Sequence, residues 1–455
     1  MTQVLHSNTI VALSTPAGSG ALGVIRLSGP DAIAIIQSVF KGKDLREQKT
    51  HTLHFGLIMD GEAILDEVVV SLFLAPKSYT KENVVEISCH GSDYIIKRII
   101  SLLVSKGARP AKPGEFTLQA FLNGAFDLSK AEAVADLIAS NSKASHDIAM
   151  QQMRGGFSNE LQGLREKLVH FASMIELELD FAEEDVEFAN RGELKQLVLQ
   201  INQVINRLIT SFELGNVIKN GVPIVIAGKP NVGKSTLLNA LLNEERAIVS
   251  HIAGTTRDTI EDEINIGGVI FRFIDTAGIR ETADLIEAKG VERTLEKMKQ
   301  AKLIIYMADA EQTVEEIEEQ VRGLEHQDIP FILLINKSDL LSDEKRASLE
   351  SLNAQFICAK EKIGVEELKE NLLHLVNISS LNTNETILTN IRHVEALRHT
   401  EEALNRVLEN VDNPITSDFL AMDIKQALHY LGEIVGEVTT DDLLDNIFSK
   451  FCIGK

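Results

Sequence analysis

The chain has no tryptophan, only three cysteines, and no apolar run longer than a strand. Each shortage excludes something. Cys89, Cys358 and Cys452 are too few and too scattered for a disulfide framework, and they point to a reducing compartment. The apolar stretches at 303–306 and 331–335 fall far short of the ~20 residues that a membrane span needs. The opening MTQVLHSNTI lacks a basic region followed by a hydrophobic core, so no secretory signal is expected and the cytoplasm is the expected compartment. Basic residues are scarce as well: 45 against 67 acidic ones, a net charge of −22. That argues against a protein that coats nucleic acid through bulk charge, while leaving room for a local basic groove or a basic partner protein. No repeat or low-complexity segment interrupts the chain.

What is present is a globular composition, 44% hydrophobic and 25% charged over 455 residues. That length exceeds one ordinary core, so two or three domains are expected. Residues 1–122 read as mixed α/β, with strands at 9–13, 23–27, 68–74 and 84–88. Helices are expected at 31–40, capped by Asp31, and at 94–105. Arg26 stands alone in an apolar strand, where an arginine needs a partner. It is either an edge residue or structural ion pair, with Glu86 as the candidate partner, or a contact for an anionic ligand.

From residue 123 the texture turns helical. Leu161, Leu164, Leu168, Phe171, Ile175 and Leu179 step by three or four along one long amphipathic helix, and 129–141 and 194–212 are similar. The acidic run at 183–187 reads as a solvated face or loop before it reads as a metal site. Residues 218–380 alternate strand and helix, the pattern of a parallel sheet. Helices return at 392–409, 419–435 and 441–450. The expected architecture is multidomain α/β plus all-α: an α/β domain at 1–122, a helical domain split between 123–217 and 381–455, and an α/β unit at 218–380 inserted into it.

The chemistry concentrates in that inserted unit. Gly228, Gly233, Lys234 and Ser235 fit G-x-x-x-x-G-K-[ST] between an apolar strand and a helix. Glycines let successive N–H groups turn inward toward an anion, and the helix start adds partial positive charge. Lys234 reaches the outer phosphates and Ser235 offers its hydroxyl to Mg²⁺. Further along, Gly254, Thr255, Thr256, Arg257 and Asp258 supply hydroxyls, with Thr256 as a second Mg²⁺ ligand. Asp275, Thr276, Ala277 and Gly278 close a strand, where Asp275 holds the metal through water and the Gly278 N–H meets the γ-phosphate. Asn336, Lys337, Ser338 and Asp339 close another. A carboxylate there accepts two hydrogen bonds from guanine, a pattern adenine lacks, so Asp339 selects GTP over ATP. Cys358, Ala359 and Lys360 form the loop that meets the guanine oxygen, with Ala359 offering its N–H. Each match is weak alone. In this order, each at a strand end, they resemble the translation-factor-type GTPases.

One residue is informative by absence. Switch GTPases place a water-orienting glutamine after the glycine of the third motif, and here that position is Ile279. Either another group supplies that function or hydrolysis is negligible; Glu281, Asp284 and Glu287 follow as candidate substitutes, each read first as a solvated switch-region acid.

The ending Phe451, Cys452, Ile453, Gly454 and Lys455 narrows the resemblance further. So do the N-terminal stretch GVIRLSG at 23–29, GEFT at 114–117, FLNG at 121–124 and GTTRD at 254–258. Together they resemble the MnmE (TrmE) family of tRNA modification GTPases, of the TrmE-Era-EngA-like superfamily, over the whole chain. The resemblance implies a folate-binding and homodimerising N-terminal domain, a discontinuous helical domain and an inserted G domain. It implies work with FAD-dependent MnmG, as a heterotetramer, to place an aminomethyl or carboxymethylaminomethyl group on C5 of the wobble uridine of certain tRNAs. Its cofactors would be GTP, Mg²⁺, K⁺ and a methylene- or formyl-tetrahydrofolate.

Residue by residue, the resemblance makes Asn231, Ser250, Ile252 and Thr255 the K⁺ ligands and Ser235 and Thr256 the Mg²⁺ ligands. Glu287 becomes the acid that orients water, and Lys234 joins it as catalytic. Val232, Gly233, Thr236, Ala253, Gly254 and the later motif residues complete the GTP contacts. Cys452 matches a cysteine required for modification, and Arg26, Glu86 and Lys455 match folate-pocket positions. Three N-terminal positions depart from the family: Ala125 stands where a lysine or arginine is common in that pocket, and Lys81 and Asn83 replace a Gly and an Asp of the 79–83 loop. A ribosome-assembly GTPase without modification activity is the main rival. A folate protein with a vestigial G domain is the second, opposed by the complete motif set.

Overall fold

The structure is a computed structural model that describes residues 8–180, 189–245, 262–274, 301–326, 329–375, 386–412 and 417–454. The chain divides into two compact units, residues 1–135, 153–194 and 403–455 in one and 136–152 and 195–402 in the other.

The first unit is built on a seven-stranded sheet. Its strands are β1 (Ile10–Leu13), β2 (Leu22–Ser28), β3 (Phe40–Lys41), β4 (Thr52–Asp60), β5 (Ala63–Phe73), β6 (Val84–His90) and β7 (Arg109–Pro110), in the order β3-β4-β5-β6-β2-β1-β7. All neighbours are antiparallel except β1 and β7. Helices α1 (Ala32–Gln37) and α2 (Asp93–Ser105) cover it, burying Ile35, Ile36, Ile99 and Leu103 against Ile25, Leu27, Val70 and Ile87. The expected helix at 31–40 ends early, and Phe40 instead pairs in β3 opposite Ile58. α3 (Glu115–Leu122) and α4 (Leu128–Ala139) follow. In the same unit, α6 (Gly156–Asp180), which comes after α5 (Lys143–Met153), buries Leu161, Leu168, Phe171 and Ile175. Those are residues of the three-four spacing seen in the sequence.

The second unit carries the six-stranded sheet. Helix α7 (Arg191–Asn220) leads into β8 (Val222–Ala227), then α8 (Lys234–Glu245), β9 (Asp262–Ile266) and β10 (Val269–Phe273). After these come β11 (Leu303–Asp309), α9 (Val314–Glu325), β12 (Phe331–Asn336), α10 (Asp343–Glu350), β13 (Gln355–Phe356) and α11 (Val365–Leu375). The strand order is β13-β12-β11-β8-β10-β9, parallel except for the β9–β10 pair. Strands buried on both faces read as unbroken apolar runs. In β8 the alternation sends Val222, Ile224 and Ile226 to one core, with α8 and α11. It sends Val225 and Ala227 to the other, with α9 and α10.

The helical residues are shared between the units. α12 (Ile391–Asn410) straddles the division at 402–403, while α13 (Ser417–Val435) and α14 (Asp441–Phe448) belong to the first unit. Among the described residues no helix is long and apolar enough to cross a membrane.

Candidate functional site

The phosphate loop lies where parallel β8 stops and α8 begins, at the carboxyl end of a central strand, where ligands of such sheets bind. Two glycines make the turn possible. Gly228 has φ +143°, and a Cβ there would sit 2.2 Å from the Met307 carbonyl oxygen of β11. Gly233 has φ +102°, and its Cβ would meet Asn336 Nδ2 at 2.2 Å. Between them Asn231 is exposed and holds φ +62°, a left-handed conformation that asparagine tolerates better than most residues. Lys234 Nζ donates to the carbonyls of Gly228 (2.7 Å) and Lys229 (2.8 Å), and its burial lowers the ammonium pKa. A cation so placed is tethered inside the loop that it would serve.

Asn336 joins this loop to the base-reading end. It is 5% exposed at the end of β12, its Nδ2 donates to Val232 O (2.8 Å), and its Oδ1 accepts from Ala359 N (3.0 Å). The Ala359 N–H is therefore engaged already, and a guanine oxygen arriving there would share it. Cys358 is buried and fixes its own turn through backbone bonds with Ile363 at 3.0 and 3.2 Å. Lys337, at φ +57°, pairs with Asp309 (2.8 Å) and Glu311 (3.2 Å), whose carboxylates hold its ammonium above the ordinary lysine pKa. Asp339 stands exposed in the short 3₁₀ turn Ser338–Leu340, open to a ligand. The Asp309 partnership was not foreseen; the only sequence signal was an acid closing an apolar strand.

Ser235 and Thr236 open α8 beside Lys234. The remaining expected residues, Ser250, Ile252, Ala253, Gly254, Thr255, Thr256, Asp275, Thr276, Ala277, Gly278, Ile279, Glu281, Asp284, Glu287 and Lys455, lie outside the described residues. So does the acidic run at 183–187.

A second cluster forms in the other unit. Arg26 on β2 stands opposite Glu86 on β6, and its Nε and Nη2 both donate to Glu86 Oε1, at 2.9 and 2.7 Å. The Arg26 guanidinium carbon lies 5.5 Å from the Tyr79 ring centre and 5.7 Å from that of Phe116, close enough for cation–π attraction. Its Nη1 donates to Gly454 O (3.3 Å), as does Ser14 Oγ (3.2 Å). The C-terminal tail is thereby stitched to the first two strands. Cys452 is exposed while its carbonyl accepts from Gly114 N (3.3 Å). Ala125 is half-buried, and its N–H caps α3 through Ala120 O (2.8 Å). Burial, reinforced by the Asp66 carboxylate, pushes the Cys89 thiol up to about 11. Tyr79, Phe116 and Ser14 were not foreseen as members; aromatic residues near an unexplained strand arginine are the signal that could have found them.

A doubly wound sheet whose phosphate loop is braced by one buried asparagine to a guanine-type N-K-x-D loop defines a P-loop protein of the GTPase class. Comparison with known proteins narrows the class. A family model described as the MnmE helical domain matches residues 128–452, and one described as the GTP-binding protein TrmE N-terminus matches residues 9–125. The tRNA modification GTPase MnmE of Cytophaga hutchinsonii is 60% identical over 99% of this chain and 98% of its own length. That of Christiangramia forsetii is 58% identical over 99% of both chains. The chain belongs to the MnmE family of tRNA modification GTPases.

Proposed function

We propose that this protein hydrolyses GTP in the service of tRNA modification. One observation carries the nucleotide half of the reading: Asn336 ties Val232 in the phosphate loop to Ala359 in the guanine loop, within hydrogen-bond distance of both. That brace sets the spacing between a triphosphate and its base. The residues fit the substrate: glycine backbone where a Cβ would fill the cradle, a tethered lysine, and an open Asp339 carboxylate for guanine.

The finer reading takes its residues from the family. Ser235 and Thr256 would hold Mg²⁺. Asn231, Ser250, Ile252 and Thr255 would hold K⁺, supplying positive charge where an arginine finger otherwise would. The exposed left-handed Asn231 in the loop supports that role. Glu287 orients the attacking water in place of the missing glutamine. Hydrolysis is coupled, with MnmG, to installing an aminomethyl or carboxymethylaminomethyl group on C5 of the wobble uridine, in the cytoplasm.

Arg26 and Glu86, with Ala125 and Lys455, form the tetrahydrofolate pocket. The two rings flanking the Arg26 guanidinium suit a flat, carboxylate-bearing ligand, and Cys452 lies on the tail that carries Gly454. The domain assignment is 1–122 for folate binding and dimerisation, 123–217 and 381–455 for the helical domain, and 218–380 for the G domain. Self-association is supported by an apolar outer face on β4 and β5, where Leu53 and Phe55 are 71% and 68% exposed and Phe55 pairs across to Val69.

GTP turnover measured in K⁺ and in Na⁺ at equal ionic strength tests the finer reading. Turnover should be faster in K⁺, and Asn231→Gly, which accepts the positive φ, should remove the difference while retaining GTP binding. Equal rates in the two salts would remove the K⁺ role.

A further inference from the structure

The six-stranded sheet has a second concavity, at the end away from the phosphate loop. A cavity of about 590 Å³ opens there, within the roughly 300–1,000 Å³ of small-ligand sites. Gly221 and Pro223, at the start of β8, form its floor. The same strand reaches the phosphate loop roughly 17 Å away, at ~3.3 Å per residue. The last turn of α7 supplies Asn216, Lys219 and Asn220, β10 supplies Arg272, and Lys302 stands just before β11. The Lys302 N–H donates to Pro223 O at 2.9 Å, which fixes that residue at the wall.

The wall carries three cations and one carboxylate, Glu263, in a chain whose acids outnumber its bases 67 to 45. Glu263 stands opposite Arg272 in the β9–β10 register. Lys219 pairs with Asp136 at 2.7 Å. Lys302, exposed, makes no ion pair among the described residues. The local excess of positive charge therefore centres on Lys302. Asn220 Nδ2 donates to Asn216 Oδ1 at 2.6 Å, which orders the two carboxamides and leaves Asn216 Nδ2 to donate to a ligand. Cations beside amide donors, in a concavity of small-molecule size, match an acceptor-rich anion. A nucleic-acid duplex would need a long exposed stripe instead.

We propose that this cavity binds a small polyanion, bearing phosphate or several carboxylates, with Lys302, Arg272 and Asn216 as its principal contacts. The site is separate from the nucleotide cradle and does not depend on what that cradle binds. The test is calorimetric titration of the full-length protein saturated with GDP, so that the phosphate loop is filled, first with pyrophosphate and then with citrate at constant ionic strength. We expect saturable binding of one equivalent, weakened about tenfold or more by Lys302→Ala and by Asn216→Ala and kept by Lys302→Arg, with GDP affinity unchanged. Tighter binding of pyrophosphate assigns a phosphorylated ligand, and tighter binding of citrate a polycarboxylate. No saturable binding of either probe at millimolar concentration, or equal binding by wild type and Lys302→Ala, would overturn the proposal.

Discussion

In the proposed reading base selection turns on Asp339, whose exposed carboxylate makes the choice testable by one atom's exchange. Asp339→Asn replaces an acceptor with a donor, so GTP affinity should fall by about a hundredfold or more while xanthosine triphosphate, with an oxygen in place of the amino group, gains. One contact is mispaired, which costs ~1–3 kcal/mol at a desolvated site, and the other loses the charge that strengthened it. Competition between labelled GDP and the two triphosphates reads this directly; an unchanged preference would remove Asp339 from base reading. At this scale the sequence was most legible. Motif residues carry their chemistry in their identity and spacing, and the pair Arg26–Glu86 was visible as a lone charge seeking a partner. The Arg26 bond to Gly454 was not, because no local pattern links residues 428 positions apart. Nor was the prior engagement of the Ala359 N–H, which depends on where a distant asparagine points.

Among the elements, the C-terminal tail depends on one backbone conformation. Gly454 has φ +94°, and a Cβ there would lie 2.2 Å from Leu13 O. Gly454→Ala should therefore lift the tail off β1 and β2. Carboxypeptidase digestion followed by mass mapping reports it, with thiol alkylation as the control that the rest of the fold is intact. In the wild type Cys452, exposed, reacts first, while Cys89 stays protected by burial and by a thiol pKa raised to about 11. In the variant, carboxypeptidase should trim the tail faster with Cys89 protection unchanged; equal trimming would mean that the Gly454 contacts do not hold it.

Elements also show where pattern reading failed. Strand β4, TLHFGLIMD, was missed because its alternation is inverted: His54 and Gly56 face inward while Leu53 and Phe55 face outward. Gly56 faces inward because the Phe40 ring lies over it; a Cβ would come within 2.3 Å of that ring. Strand β9, DEINI, is an edge strand with too little apolar character to announce itself. The central strands of the same sheet, β8, β11 and β12, were legible for the opposite reason. Burial on both faces leaves them almost uniformly apolar, and turn residues bound them sharply.

For the whole molecule, two chemistries sit on two compact units of one chain, a nucleotide cradle in one and an arginine–tail cluster in the other. Whether both serve one purpose is read most directly in the tRNA itself. In a strain from which this protein has been deleted, nucleoside analysis of bulk tRNA should show wobble uridines lacking the C5 substituent. Wild-type chain should restore the substituent, and Asp339→Asn should fail to restore it. Normal wobble modification in the deletion strain would contradict the account.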